Sequence, residues 1–506
     1  MSIDFTSPHP FITKARKHNV SITPVRKKNF DKVLKSLDKC AKTQIETADF
    51  NGSAKSTIAL MNKDGEITSI LIGLSHPMEH FDLCYAYDCA KKSFSDKALK
   101  NISFELDASS LSDEEITKAH IGWGWSSYSF NSYKENPDNS VPSLVWAKGA
   151  DKTKILASID AVNQLRNLVN TPANDCGPDE LEAFAKKIAE KHGSKIKVIK
   201  DDQLLTKNFP LIHTVGKASP RRPRLIEFTW GKASDPKVTL VGKGVVFDTG
   251  GLDIKPSAYM RYMKKDMGGA AHVLNLAYMI MENKLPVRLR VLIPAVENAI
   301  AGEAFRPGDI IKSRKGIFVE NTNTDAEGRL ILADSLTYAC EDDPELVIDY
   351  ATLTGSARAA LGPDIPAFFS TDEKLASRLQ KLSFELEDPV WNMPLHHPYK
   401  KHFKSSAGDI VNSAGLPGDL IYSALFLESF LSEGKKKTKP NWVHFDCYSW
   451  EQTGRPGRPS GAADTGMRAM YAYLEETYGA KKPAKKAAAK TTQNTSKTAS
   501  AKKKKA

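Results

Sequence analysis

Two stretches of this chain hold the residue types that hydrolytic chemistry uses. The first, Asn321-Thr322-Asn323-Thr324-Asp325-Ala326-Glu327-Gly328-Arg329-Leu330, sets two carboxylates two positions apart and follows them with a glycine and an arginine. An apolar, helix-like run from Leu330 to Cys340 comes directly after it, so an ordinary helix start, with Asp325 as cap and Glu327 opposing the dipole, is the simplest use of these residues. The second stretch lies upstream and changes that reading. It runs Leu240-Val241-Gly242-Lys243-Gly244-Val245-Val246-Phe247-Asp248-Thr249-Gly250-Gly251-Leu252-Asp253-Ile254-Lys255-Pro256 and closes with Lys264-Lys265-Asp266-Met267-Gly268-Gly269. The Gly-Gly pairs let backbone approach a compact ligand closely. A phosphate loop is excluded, because the pattern Gly-x-x-x-x-Gly-Lys-Ser/Thr is absent. Carboxylates buried in such number need cations as partners. Asp248, Asp266, Asp325 and Glu327, with one or two lysines, suit two divalent ions at the roughly 3.5 to 4 Å separation usual for two-metal hydrolysis. Neither stretch contains histidine, so the donor set is rich in oxygen and leaves Zn, Mn, Mg and Co open. A lysine ligates only as the neutral amine, a form that adjacent dications favour. Lys243 and Lys255 should therefore have different tasks.

Elements that could position these stretches are legible around them. From Lys152 to Asn170 the pattern reads as a connecting helix, stopped by Thr171-Pro172. Helix and strand patterns then alternate: helices at 178–192, 268–282, 326–341, 372–384, 420–431 and 462–478, and strands at 195–199, 225–229, 238–247, 287–296, 346–351 and 442–447. Such alternation predicts an α/β fold, with a mixed, largely parallel sheet sandwiched by helices and ligands beyond the strands' carboxyl ends. Both acidic stretches fall there. Residues 1–150 read as a smaller N-terminal α/β domain, with strands at 56–61, 67–74, 102–106 and 143–147 and a helix opened by the capping box Ser112-x-x-Glu115. Nothing in it clusters into a chemical site, and its aromatic patch of Trp123, Trp125, Tyr128, Phe130 and Tyr133 reads as packing. The expected division is 1–150, a connecting helix at 151–174, a catalytic domain at 175–479 and a disordered lysine-rich tail at 480–506.

Composition limits the alternatives. At 506 residues the chain is long enough for two domains. Its net charge of +12 suggests nucleic acid until ten of the lysines are placed in residues 481–506, which leaves the remainder at +2. Nucleic-acid binding is thus expected only through the tail. Six cysteines without a Cys-x-x-Cys pair argue against a zinc knuckle or disulfide scaffold and fit a reducing compartment. The N-terminus lacks the apolar run of a signal peptide, and no run approaches the roughly 20 apolar residues of a membrane span. A cytoplasmic protein without membrane contact is expected.

The motifs also carry a resemblance. Asn321 to Leu330 resembles the signature of the leucyl (cytosol) aminopeptidases, the M17 metallopeptidases. The upstream stretch is similar to that family's Gly-Lys-Gly, Phe-Asp-x-Gly-Gly, Lys-Pro and Asp-Met-Gly-Gly segments, and the likeness spans about Arg166 to Leu474. It implies a metal-dependent aminopeptidase that releases apolar, Leu-like residues from peptides with a free N-terminus, assembled as a homohexamer. Asp248 and Glu327 would bridge two metals, Zn or Mn before Mg or Co. Asp325 would complete one site, Lys243 and Asp266 the other, and Asp266 would also hold the substrate's α-amine. Water activated by the two metals would attack the first peptide carbonyl, with Lys255 stabilising the oxyanion and Arg329 holding a bicarbonate as general base. Met263, Asn323, Thr352, Leu353 and Gly355 would line the substrate pocket. The sequence departs from familiar members at Arg261-Tyr262, Tyr448 and Trp450. A two-metal phosphoesterase is the rival enzyme, and a nucleic-acid-binding protein on a retained peptidase fold the rival of another class. His444 and Asp446, two apart on one strand, read as structural neighbours rather than a dyad. His396-His397 reads as a loop pair with no partner.

Overall fold

Runs rich in Val, Ile and Leu alternate with amphipathic segments, and the computed structural model turns the runs into two large sheets, with smaller sheets of three and two strands beside them. The structure describes residues 9–137 and 140–479. The expected lysine-rich tail lies outside them.

In the first sheet the strand order is Phe11–Ile12, Ser143–Val145, Ile102–Leu106, His18–Val25, Ile67–Gly73, Thr57–Met61, all neighbours parallel except the last pair. The strand His18–Val25, central in this sheet, is not among the sequence-based expectations. Basic residues and Pro24 surround its alternating Val20 and Ile22, and only the neighbours on both sides satisfy it. Helices Lys39–Thr47 and Asp82–Ser93 are likewise additions. The capping box forms as read, Ser112 accepting from Glu115 N and Glu115 from Ser112 N. Of the aromatic patch, Trp123, Trp125 and Tyr128 are buried as packing residues, whereas Phe130 is half-buried and Tyr133 is exposed, its hydroxyl donating to Asp175.

The second sheet has nine strands. Its parallel centre runs Asn441–Asp446, Leu346–Ala351, Lys237–Gly242, Arg288–Asn298. Antiparallel strands Ala367–Ser370 and Arg224–Trp230 flank it, one on each side. The mixed, mainly parallel character anticipated from the alternation holds, and helix Gly268–Glu282 begins and ends where the sequence indicates. One expected strand is interrupted. Residues 238–247 divide at Lys243, whose amide donates to Tyr350 O and whose carbonyl accepts from Ala270 N. The break turns the Lys243 side chain toward the carboxyl ends of the parallel strands. Glycine makes the close packing there available: a Cβ on Gly269 would stand 2.1 Å from Tyr350 O.

Helix Lys152–Asn170 joins the two units. Its Arg166 is buried and donates to Trp125 O on one side and Gly457 O on the other. Among the described residues no helix is long and apolar enough to cross a membrane.

Candidate active site

The two acidic stretches meet at the carboxyl ends of the parallel strands. Asp248 ends strand Gly244–Asp248. The chain then turns through Gly250 and Gly251 at φ of 87° and 64°, a left-handed pair that only glycine adopts without strain, and returns Lys255 toward Asp248. Asp325 and Glu327 precede helix Gly328–Cys340, and neither caps it with its side chain. A reciprocal staple joins the stretches: Asp253 Oδ2 accepts from Thr324 N at 2.7 Å, and Thr324 Oγ1 accepts from Asp253 N at 2.8 Å. Asn412, fully buried, holds the second stretch from behind. Its Nδ2 donates to Asn321 Oδ1 and Asn323 O, and its Oδ1 accepts from Thr322 N and Asn323 N. Nothing near Asn412 in the sequence signals this role, which depends on a contact about ninety residues away in the chain.

Ligand atoms of Asp248, Asp325 and Glu327 all lie within 4.8 Å of one another. Lys243 Nζ stands 2.8 Å from Asp266 Oδ2 and 2.9 Å from Glu327 Oε1, and donates to Thr352 O at 2.8 Å. Lys255 pairs with Asp248 at 2.8 Å and, more closely, with Asp325. Both Glu327 oxygens and Asp266 Oδ2 are nevertheless buried without a hydrogen bond of acceptable angle. One ammonium, that of Lys243, serves Asp266 Oδ2 and Glu327 Oε1 together, and Glu327 Oε2 accepts no hydrogen bond, so the buried anionic charge is under-compensated and favours further cations. Burial, then the neighbouring Asp248 charge, push Glu327 up to about 8 and Asp325 up to about 6, against the pull of the lysines. Asp266 moves the other way: burial would raise it, but Lys243, Lys265 and Lys255 together bring it down. This donor set fits two divalent cations.

A cavity of about 600 Å³ opens over these groups. Of the twelve site residues expected from sequence, nine line it: Lys243, Asp248, Lys255, Met263, Asp266, Asp325, Thr352, Leu353 and Gly355. Glu327 sits beneath, against Lys243. Asn323 does not line the cavity. Its Oδ1 accepts from Asp325 N, a positioning contact. Arg329 is also off the cavity, with Nη1 donating to Asn412 O, Nη2 to Asp419, and Nε buried and unpartnered. Lining residues that the sequence reading did not assign include Tyr259, Lys265, Arg358 and Gln452. Tyr262 and Tyr448, noted only as departures, line it as well.

Family comparisons agree with this arrangement. The model described as "Cytosol aminopeptidase family, catalytic domain" matches residues 163–471. The chain belongs to the cytosol aminopeptidase family. The model for the M17 aminopeptidase N-terminal domain matches residues 20–144. A probable cytosol aminopeptidase of Geobacter sp. (strain M21) is 32% identical over 465 residues, covering 88% of this chain and 93% of that one. Another from Aquifex aeolicus (strain VF5) is 37% identical over 372 residues, covering 71% and 74%. The crystal structure of cytosol aminopeptidase from Coxiella burnetii superposes with a TM-score of 0.84 at 39% identity, covering 93% and 99%. Bottromycin maturation enzyme BotP in complex with Mn gives 0.79 at 27% identity, covering 90% and 99%. As a cytosol aminopeptidase the chain is a hydrolase, a metal-dependent exopeptidase of α/β fold.

Two histidine expectations resolve differently. His397 Nε2 lies 3.0 Å from Glu428 Oε1 and His396 packs on Tyr399, so the loop pair does have partners. The 31-residue separation from Glu428 hides this in the sequence. His444 is buried away from the cavity, its Nδ1 2.6 Å from Asp349 Oδ1 on the neighbouring strand, while Asp446 accepts from Leu353 N, Thr354 N and Thr354 Oγ1. They form no dyad. Burial alone would lower the His444 pKa, but Asp349 and then Asp446 raise it above the ordinary value. A histidine raised on folding contributes stability fully present below the unfolded value, about 6.5, and lost as pH climbs through the folded value. We therefore expect the stability gap between wild type and His444→Gln, measured by urea unfolding in chelator, to narrow as pH rises above about 6.5. A gap that widened with pH would contradict the assignment.

Proposed function

We propose that this cytosol aminopeptidase removes the first residue of peptides at a two-metal centre held by Asp248, Asp325, Glu327, Asp266 and Lys243. The observation that carries this reading is the carboxylate cluster in which both Glu327 oxygens and Asp266 Oδ2 are buried without a hydrogen bond. Divalent ions there, Zn or Mn before Mg or Co, would supply Lewis acidity and a water of lowered pKa. The residues divide the rest of the work. Asp266, held by Thr352 Oγ1 at 2.8 Å, receives the free α-amine, which restricts cleavage to the N-terminus. Lys255, on the cavity wall, donates to the carbonyl oxygen as negative charge develops. Arg329 keeps one buried donor, Nε, free for an anion, consistent with a bicarbonate that would supply a proton acceptor there. Asp446 fixes the backbone of Leu353 and Thr354 and so shapes the pocket beside the amine. Met263 and Leu353 give the aliphatic part of the first side chain a surface to lie against, on a wall shared with Tyr448, Lys265 and Arg358.

We further propose a cytoplasmic homohexamer and expect 1–150, 151–174 and 175–479 to act as N-terminal unit, connector and catalytic domain. Any nucleic-acid binding is assigned to the lysine-rich tail. Hydrolysis of leucine p-nitroanilide should stop on chelation and return with Mn or Zn. Turnover of a phosphodiester instead of the anilide would sink this reading.

A further inference from the structure

Beyond the carboxylates, the cavity wall changes sign. Lys265 precedes Asp266 directly and is only 5% exposed. Its ammonium lies over the Tyr448 ring, 4.6 Å from the centroid. Arg358, from the short helix Gly355–Leu361, stands over the same ring at 5.0 Å, and its Nη1 donates to the Tyr448 hydroxyl at 3.2 Å. All three side chains line the cavity. Neither cation has a carboxylate within ion-pair distance among the described residues, and Asp266 acts on Lys265 only from further off. Asp266, the nearest candidate for Lys265, turns its oxygens to Thr352 and Lys243 instead. An aromatic face compensates a cation only in part, and for Lys265, which is buried, a charge without an ion-pair partner is costly; Arg358 is half-buried. A ligand that brings its own negative charge removes that cost.

Resting on the aminopeptidase reading above, we propose that this recess takes the side chain of the peptide's first residue and selects an acidic one. Position argues for the first residue. Asp266 is the anchor for the α-amine, and the side chain leaves the carbon that bears this amine. It therefore enters the cavity beside Asp266, where Met263 and Lys265, on the same turn as Asp266, and Tyr448, under the Lys265 ammonium, line it. Glutamate or aspartate brings a carboxylate between the Lys265 ammonium and the Arg358 guanidinium, while its methylene groups lie on Met263. Leucine would fill the same space and leave both cations unpaired. A planar guanidinium beside a phenol hydroxyl is suited to hold a carboxylate through two parallel hydrogen bonds. A peptide's terminal carboxylate is the other source of such a charge, and substrates without one separate the two.

The test uses the metal-loaded, full-length enzyme and p-nitroanilides of glutamate, glutamine, leucine and lysine, none of which has a free terminal carboxylate. Glutamate is expected to exceed glutamine in kcat/KM by roughly ten- to a hundredfold, the worth of a charged hydrogen-bonded pair, and lysine to fall below both. Arg358→Gln and Lys265→Met should each pull the glutamate-to-glutamine ratio toward one, a readout independent of the variant's absolute rate. A wild-type ratio near one, or a ratio unmoved in both variants, overturns the proposal. So does a preference for free-carboxylate dipeptides over their amides whatever the first residue. Failure of every anilide would instead strike the aminopeptidase reading, whereas leucine turnover with a ratio of one strikes this inference alone.

Discussion

Glu327→Gln should lower aminopeptidase activity by more than about a hundredfold, above the roughly ten- to hundredfold cost of losing a residue that only supports a metal ligand, and should empty the metal centre while leaving the protein folded. Glutamine has the same shape, so packing is kept; only the charge that attracts cations disappears. Stability without metal provides an independent check. In the metal-free protein the Glu327 carboxyl is held at about 8 by burial and by the Asp248 charge. An acid whose folded pKa lies above its unfolded value loses stability as pH rises between the two, because ionisation is easier in the unfolded chain. Above about pH 5 that penalty grows in the wild type and is absent in the variant. In chelator, Glu327→Gln should therefore unfold at a temperature equal to or above that of wild type, most clearly near pH 8. Metal analysis, activity and thermal unfolding on one preparation decide the matter. Normal turnover, or a variant that fails to fold, would refute the role given to Glu327.

This prediction also shows how far the sequence could be read. The helix Gly268–Glu282 and the strand Leu346–Ala351 were legible to the residue, because long apolar runs bounded by Gly-Gly or by polar turns leave little choice of register. The carboxylates were legible as a group, since burying so many acids has few explanations. Contacts that hold them were not. Asn412, Thr324 and Asp253 are ordinary loop residues until the fold brings them together, and no local pattern marks a side chain whose partners lie seventy to ninety positions away. The strand His18–Val25 is not legible for a related reason. Its weak alternation becomes a central strand only because Ile67–Gly73 and Ile102–Leu106 supply hydrogen bonds on both sides. Lys265 and Arg358 escaped because a lone lysine or arginine in a sequence gives no sign that it faces a cavity without a counter-charge.

The two lysines of the centre are expected to separate under substitution by methionine, although their surroundings look alike. Each ammonium lies between two carboxylates, Lys243 between Asp266 and Glu327, Lys255 between Asp248 and Asp325. In each case burial would lower the pKa, and the surrounding carboxylates raise it well above the ordinary lysine value. Depth distinguishes them. The Lys243 side chain is 3% exposed, is held by Thr352 O, and lies against Gly328, where a Cβ would come within 2.6 Å of its Cε. It cannot swing toward a substrate, so its nitrogen is confined to the cation site. Lys255 is 14% exposed and follows the Gly250-Gly251 turn on the open wall. Once cations take over its carboxylate partners, it is free to face the carbonyl oxygen. Lys243→Met should therefore lose metal and activity together. Lys255→Met should retain its metal while kcat falls by about 100- to 1000-fold, the loss expected for one donor to a developing oxyanion. Metal content and kcat measured for both proteins give the contrast directly. Equal metal loss in the two variants would assign Lys255 to the ligand set and leave the oxyanion without its donor.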